Sequence, residues 1–341
     1  MFSSHFSSAF SFSSAAFSLL FLFVYSTVYL PYSVATISPA FSDFLTVAYG
    51  DKIEESIARR DLGSLGSFGG GTKMPMFTRK RPIVMVHGLS TFAAEYENIR
   101  QYFLMNNYTD AEVYASSYGH GPVNWTHDAM KCEHVQRFRW LMLAVANYTS
   151  SQIDVIGYSM GSPIARKAIS GGVCVDTGEH LGVPLTPLVH TFVGVAGANR
   201  DCVHLCRFLT NVTGDAPCNS INGMACHSRF LRDINNAPRG RQHFEATHRV
   251  YTIYSRHDDV VGYLDCDGLL VSSIPLQDNH IELIGFSHLG TIFVTAKEQL
   301  ELINGNYDQM QKINVTINWL RTPEETVKMA RKMFPFWKLG I

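Results

Sequence analysis

The sequence predicts an α/β fold, a mostly parallel sheet with helices on both of its faces. Two patterns and one bulk property carry that prediction. From Pro82 onward, short apolar runs alternate with stretches whose apolar residues recur every three or four positions, the signature of strands and helices in turn. The composition, 46% apolar and 17% charged over 341 residues, supplies a large core for one such domain.

Each element has its own local reason. Ser38-Pro39 reads as a helix N-cap followed by proline in the first turn, and Gly50 as the stop. A second short helix is expected over residues 52–60. The Gly/Ser stretch 63–71 lacks the lysine of a phosphate loop and reads as a flexible connector. Strands follow at 83–86, 111–115, 153–156, 188–195, 249–254 and 281–284. Between them Phe92, Tyr96, Ile99 and Phe103 share one helical face, and Val135, Phe138, Met142 and Val145 another. Further helices are expected over 159–168, with Pro163 tolerated in the first turn, and from about 291 to 302. The organisation is then a leader at 36–80, one domain at 81–305 and a tail at 306–341. Thr322-Pro323-Glu324-Glu325 in that tail predicts a capped helix, followed by aromatic and basic residues.

The formal charge of −1 argues against nucleic acid as a partner. The first 42 residues contain no charged side chain, and residues 15–30 are nearly all apolar. This predicts a secretory signal peptide over residues 1–35, leaving no transmembrane span once it is cleaved; an uncleaved anchor is the alternative. Five Asn-x-Ser/Thr sequons, at Asn107, Asn124, Asn147, Asn211 and Asn314, agree with a secreted, extracellular protein. So do seven cysteines, four of which, Cys202, Cys206, Cys218 and Cys226, crowd one segment. Their spacings do not match C-x₂-C, so disulfides are expected there rather than a metal. At least two bridges should draw on those four, with Cys132 or Cys266 as outside partners and Cys174 unpaired.

The chemistry centres on Gly157-Tyr158-Ser159-Met160-Gly161. A GxSxG string is weak evidence alone, but this copy follows an apolar run and opens a helical pattern. That is the strand–turn–helix setting in which a serine hydroxyl is thrust above a sheet edge. A serine hydroxyl needs a base to become a nucleophile. Downstream, Asp258 follows one strand and His288 another, giving the chain order Ser…Asp…His of α/β-hydrolases. Asp258 is the expected acid, with Asp259 as the alternative, and His288 the base. The backbone amides of Leu89 and Met160 are the expected oxyanion donors, and His87 is expected to brace the loop.

At these residues the chain resembles the class 2 lipases. The resemblance lies in Pro82-Ile83-Val84-Met85-Val86-His87-Gly88, Val155-Ile156-Gly157-Tyr158-Ser159-Met160-Gly161, Gly197-Ala198-Asn199-Arg200, Tyr254-Ser255 with Asp258, and the stretch from Gly285 to Gly290. It is closer to longer secreted nematode members, which have a similar Cys-rich insert. The resemblance implies a minimal α/β-hydrolase and hydrolysis of carboxylic esters without a cofactor, with lipid esters at a lipid–water interface as substrate. It implies Ser159, Asp258 and His288 as catalytic residues, with Leu89 and Met160 at the oxyanion. A fatty-acyl thioesterase and an inactive hydrolase fold that only binds are the alternatives. The insert, residues 201–248, is expected to be either a cap over the site or a crosslinked surface loop. Its apolar residues, among them Leu205, Phe208, Leu209, Met224, Phe230, Leu231 and Ile234, would line or cover an acyl pocket.

Overall fold

A computed structural model describes residues 36–72, 78–123, 125–209, 216–236 and 243–307. The expected signal peptide, the helix of the tail, and Asn124, Asn211 and Asn314 lie outside them.

The leader folds as its capping residues dictate. The Ser38 hydroxyl accepts the Phe41 amide at 3.1 Å, Pro39 opens helix α1 (Pro39–Tyr49), and Gly50 ends it at φ +86°. Helix α2 (Asp51–Ala58) follows at once. Phe41, Leu45 and Ile57 are fully buried in the same core as the sheet. The Gly-rich stretch departs from its expectation: it is no free connector. Residues 66–71 are buried, and β1 (Ser67–Phe68) adds an edge strand to the sheet. Packing is tight enough to require glycine, because a Cβ on Gly69 would fall 2.5 Å from the Tyr114 ring.

The central sheet runs in the order β1–β3–β2–β4–β7–β8–β9. Its members are β2 (Ile83–Val86), β3 (Val113–Ser116), β4 (Ile153–Tyr158), β7 (Val189–Val195), β8 (Arg249–Ser255) and β9 (Asn279–Leu283). All neighbours are parallel except the β1–β3 pair. Every residue of β2, β3 and β4 is buried, as strands covered on both faces must be. On the faces lie α3 (Glu97–Met105), α4 (Cys132–Thr149), α5 (Gly161–Ser170), α8 (His288–Val294) and α9 (Ala296–Ile303). This is the α/β-hydrolase architecture. A hairpin of β5 (Gly172–Val173) and β6 (His180–Gly182) stands apart from it.

Helix α5 starts two residues later than the expected 159 because Ser159 adopts φ +52°, which cannot open a right-handed helix. The expected helix at 291–302 begins instead at His288, capped by Ser287, and divides at Thr295.

Between β7 and β8 the insert forms α6 (Val203–Leu209) and α7 (Arg229–Asn236). Leu209, Met224, Phe230, Leu231 and Ile234 are buried and Leu205 partly so; the side chain of Phe208 lies outside the description. The second half of the insert clamps α5. Arg166, fully buried, gives Nε to Glu245 at 2.9 Å and Nη1 to Asn235 at 3.1 Å, while Lys167 meets Asp233 at 2.6 Å.

Three disulfides pair Cys132 with Cys174, Cys206 with Cys218, and Cys226 with Cys266. Two therefore draw on the insert cysteines, one of them through Cys266. Two expectations are corrected. Cys174 is bridged, because Gly171 and Gly172, at φ +66° and +77°, reverse the chain beyond α5 and return it to the start of α4. Cys202 is the free thiol: it is buried, and its sulfur donates to the Val260 carbonyl at 3.5 Å. Asn107 and Asn147 are exposed. No helix among the described residues is long and apolar enough to cross a membrane.

Candidate active site

The sheet delivers three side chains to one edge. Ser159 sits in the turn between β4 and α5, held by its amide to the Val195 carbonyl at 3.0 Å. Its left-handed φ is uncommon for a residue with a side chain and stores strain at the position that projects the hydroxyl. The flanking glycines have steric causes. A Cβ on Gly157 would fall 2.6 Å from Ser162 Cα, and one on Gly161 would fall 2.2 Å from the His87 carbonyl oxygen.

His288 opens α8 directly after the Ser287 cap, with its amide donated to Asp259 Oδ1 at 2.8 Å. Its Nδ1 lies 2.7 Å from Asp258 Oδ2 and its Nε2 2.9 Å from Ser159 Oγ. The carboxylate can only accept, so Nδ1 carries the proton and Nε2 is free to accept the serine hydroxyl. Asp258 is fixed in turn, its Oδ1 accepting the amides of Val260 and Val261 at 3.0 and 2.9 Å. All three side chains are nearly closed to solvent. The two acids thus divide the work, Asp258 on the ring and Asp259 on the backbone beneath it. Burial alone would lower the His288 pKa, but the charge and hydrogen bond of Asp258, then the charges of Asp259 and Glu95, raise it above its ordinary value. His257, in the loop after β8, accepts the Gly285 amide, and His280, near the start of β9, is exposed against Tyr254.

The expected oxyanion residues flank the serine. Met160 follows it, and the Gly88–Leu89 peptide lies across from it, since a Cβ on Gly88 would be 3.0 Å from Ser159 Cβ. Among the described residues neither the Leu89 nor the Met160 amide donates to another group. His87 braces this loop. The Tyr118 amide donates to its Nε2 at 2.9 Å, which leaves the proton on Nδ1 to donate to the Gly88 carbonyl at 2.8 Å. Burial holds the ring neutral, with its pKa lowered to about 3. The peptide is planar and trans, so a Gly88 carbonyl tied to His87 turns the Leu89 N–H the opposite way.

Two neighbours escaped the sequence reading. Tyr158 packs its ring 5.0 Å from that of His288, although it carries only the variable position of the motif. Glu95 belongs to the 3₁₀ turn Ala93–Tyr96, where the sequence shows nothing but a charge between apolar positions of a helical stripe.

No curated protein matches the chain. Among solved structures it is similar to mature Bacillus licheniformis lipase BlEst2, at 12% identity and TM-score 0.49, over 70% of this chain and 97% of that one. It is also similar to Aspergillus fumigatus lipase B (14%, TM-score 0.44, covering 66% and 50%) and Paleococcus ferrophilus monoacylglycerol lipase (13%, 0.41, covering 70% and 97%). Residues 80–301, well over half the chain and including Ser159, Asp258 and His288, match the family described as Lipase (class 2). The chain belongs to the class 2 lipases.

Proposed function

We propose that the protein is an exported serine hydrolase that cleaves carboxylic esters of lipids, acylglycerols among them, through an acyl-enzyme on Ser159. The observation that carries this reading is the unbroken chain from Ser159 Oγ to His288 Nε2 at 2.9 Å and from His288 Nδ1 to Asp258 at 2.7 Å. His288 takes the serine proton as Oγ attacks the ester carbonyl, and the Leu89 and Met160 amides receive the oxyanion. His288 then returns the proton to the leaving alcohol, and water, activated by the same ring, releases the acid. Asp258 keeps the imidazole in the required tautomer and offsets its transient charge. Membership of the lipase family supports lipid esters as the substrate class. Three disulfides, an uncharged N-terminal segment and exposed Asn107 and Asn147 support export to an oxidising compartment.

An active-site-directed fluorophosphonate tests the mechanism. Wild type is expected to be labelled and Ser159→Ala not. Labelling of Ser159→Ala, or a wild type that neither reacts nor hydrolyses a p-nitrophenyl ester, would reject it.

A further inference from the structure

The motif Gly197-Ala198-Asn199-Arg200 has no part in the chemistry above, yet it leaves β7 beside the nucleophile and runs straight into the insert. The chain turns out of the strand on Ala196, whose φ of +45° is as uncommon for a residue with a side chain as that of Ser159. Both main-chain groups of Ser159 are held from this segment. The Ser159 amide donates to the Val195 carbonyl, and the Ser159 carbonyl accepts the Ala198 amide at 3.2 Å. Asn199, fully buried, reaches in two directions. Its Nδ2 donates to the Ser272 carbonyl at 2.9 Å, which fixes the orientation of the amide, and its Oδ1 accepts the Ser162 hydroxyl at 2.9 Å. Gly197 makes room for that pair, because a Cβ there would fall 2.6 Å from Asn199 Nδ2 and 2.8 Å from Ser162 Oγ.

The same segment then grips the loop that carries Asp258. Arg200 Nε donates to Ser273 Oγ, and Asp201 Oδ2 accepts the Cys266 amide, both at 2.9 Å. The Val260 carbonyl accepts the Leu205 amide at 3.0 Å and the Cys202 thiol at 3.5 Å. That carbonyl shares a planar trans peptide with the Val261 amide, so the two point in opposite directions. Leu205 and Cys202 hold one side of the plane, and on the other Asp258 Oδ1 accepts the Val261 amide at 2.9 Å. The second oxygen of Asp258 faces His288.

We propose that residues 198–205 are a strap that sets the acid against the nucleophile, with Asn199 and Cys202 as its positioning residues; the inference rests on the serine mechanism above. At one end the strap fixes the main chain of Ser159 and the first turn of α5. At the other it fixes the peptide that aims the Asp258 carboxylate. Asn199 joins the nucleophile helix to the acid loop through one side chain. A bridged sulfur has no proton to donate, so the role at Val260 requires the free thiol that Cys202 supplies. Neither residue touches a reacting atom. Their effect is on alignment, to which proton transfer and attack are steeply sensitive.

The experiment uses the full-length protein, a soluble short-chain ester with active sites counted by fluorophosphonate, and the low-field proton NMR resonance of the His288 Nδ1–H. Asn199→Ala should lower kcat by about 10- to 100-fold with KM within about twofold, the scale expected when catalytic groups are misplaced but not lost. Cys202→Ala should lower kcat about threefold, the loss of one hydrogen bond, and Cys202→Ser, which keeps a donor, should restore it. In both alanine variants the resonance should shift and exchange faster with water, because the carboxylate that holds its proton is no longer aimed. Replacing the Cys132–Cys174 pair by serine, outside the strap, should lower stability but leave kcat per active site and the resonance unchanged. If Asn199→Ala does not fold, the two Cys202 variants carry the test. Unchanged kcat with an unmoved resonance in the alanine variants would overturn the proposal, as would a Cys202→Ser as impaired as Cys202→Ala. The resonance is read in the resting protein, without substrate. A wild type that fails to react with fluorophosphonate therefore rejects the serine mechanism alone, and the resonance still decides whether the strap aims Asp258.

Discussion

The carboxyl and amino ends of this parallel sheet both gather charge, to opposite ends. At the carboxyl ends of β4, β8 and β9, carboxylates meet the starts of helices: Asp259 receives the first amide of α8, and Asp258 the imidazole on that same turn. Negative charge suits a helix N-terminus, and here it also raises the proton affinity of the base. At the amino ends of β2 and β4 three helices finish, and cations meet them. Lys80 donates to the Asn106 carbonyl at the end of α3, and Arg81 to the Ile303 carbonyl at the end of α9. Arg79, Lys80 and Arg81 line a cleft of about 520 Å³ there with Thr149 and Ser150, the end of α4. Taken alone, that basic cleft invites an anionic ligand. Compared with the other end, two of its three cations are accounted for: Lys80 and Arg81 by helix carbonyls, and Arg81 also by Asp154, which lies fully buried 3.1 Å away. Under the mechanism proposed above, charge at one end serves chemistry, while at the other it meets helix ends and a buried carboxylate.

Substitutions that separate the two quantities break or sharpen this contrast. The largest effect belongs to the triad. Ser159→Ala or His288→Ala should lower kcat by about 10⁴–10⁶, with the double variant little worse, and Asp258→Asn by about 10⁴. Thermal stability should hardly change; most of the activity surviving in His288→Ala would remove the ring from the mechanism. Next comes the Cys226–Cys266 bridge, which ties the insert to the loop beyond Asp258. Replacing both cysteines by serine should cost about 2–4 kcal/mol in urea unfolding. Peptide mapping under non-reducing conditions should return the three pairs and leave only Cys202 to be alkylated after unfolding. Arg81→Ala, at the other end, should cost about 2 kcal/mol. That is less than for a fully buried pair because Arg81 remains a third exposed, and kcat per folded molecule should be unchanged. A fall in kcat without a fall in stability would erase the distinction. For pH, a base with a raised pKa must lose its proton before it can act. The acid limb of kcat/KM should therefore have its midpoint above 6.5, and one below 6.5 would contradict the three carboxylates around His288. The smallest effect is expected for exposed Arg79→Ala, within about 0.5 kcal/mol by chemical denaturation.

What the sequence discloses follows from how local each cause is. The nucleophile turn is legible because its strand, its glycines and its serine are contiguous, and the steric demand on Gly157 and Gly161 comes from neighbours in the turn and the adjoining strand. Asp258 and His288 are legible because each follows a strand, and parallel strands bring those ends to one edge. The disulfide partner of Cys174 is not legible: it depends on a chain reversal at Gly171-Gly172 that periodicity does not encode. A two-residue strand such as β1 is too short to show alternation, so the flanking Gly66, Gly69 and Gly70 read as freedom when they are in fact close contacts. Glu95 hides for a related reason, since a lone acid on a helical stripe looks the same whether it faces water or turns an oxygen away from it.

The pairing of Ser67 and Phe68 with β3 also bears on how the protein can be handled. The family match begins at residue 80, which invites trimming the chain there. Such trimming would strip β1 from β3 and lift Phe41 from Tyr114, whose rings meet edge-on at 5.1 Å. The wholly buried strand β3 would then present bare amides and carbonyls along an apolar border, a template on which a second molecule can add its own strand. The shortened protein would keep every residue of the triad and be prone to aggregate.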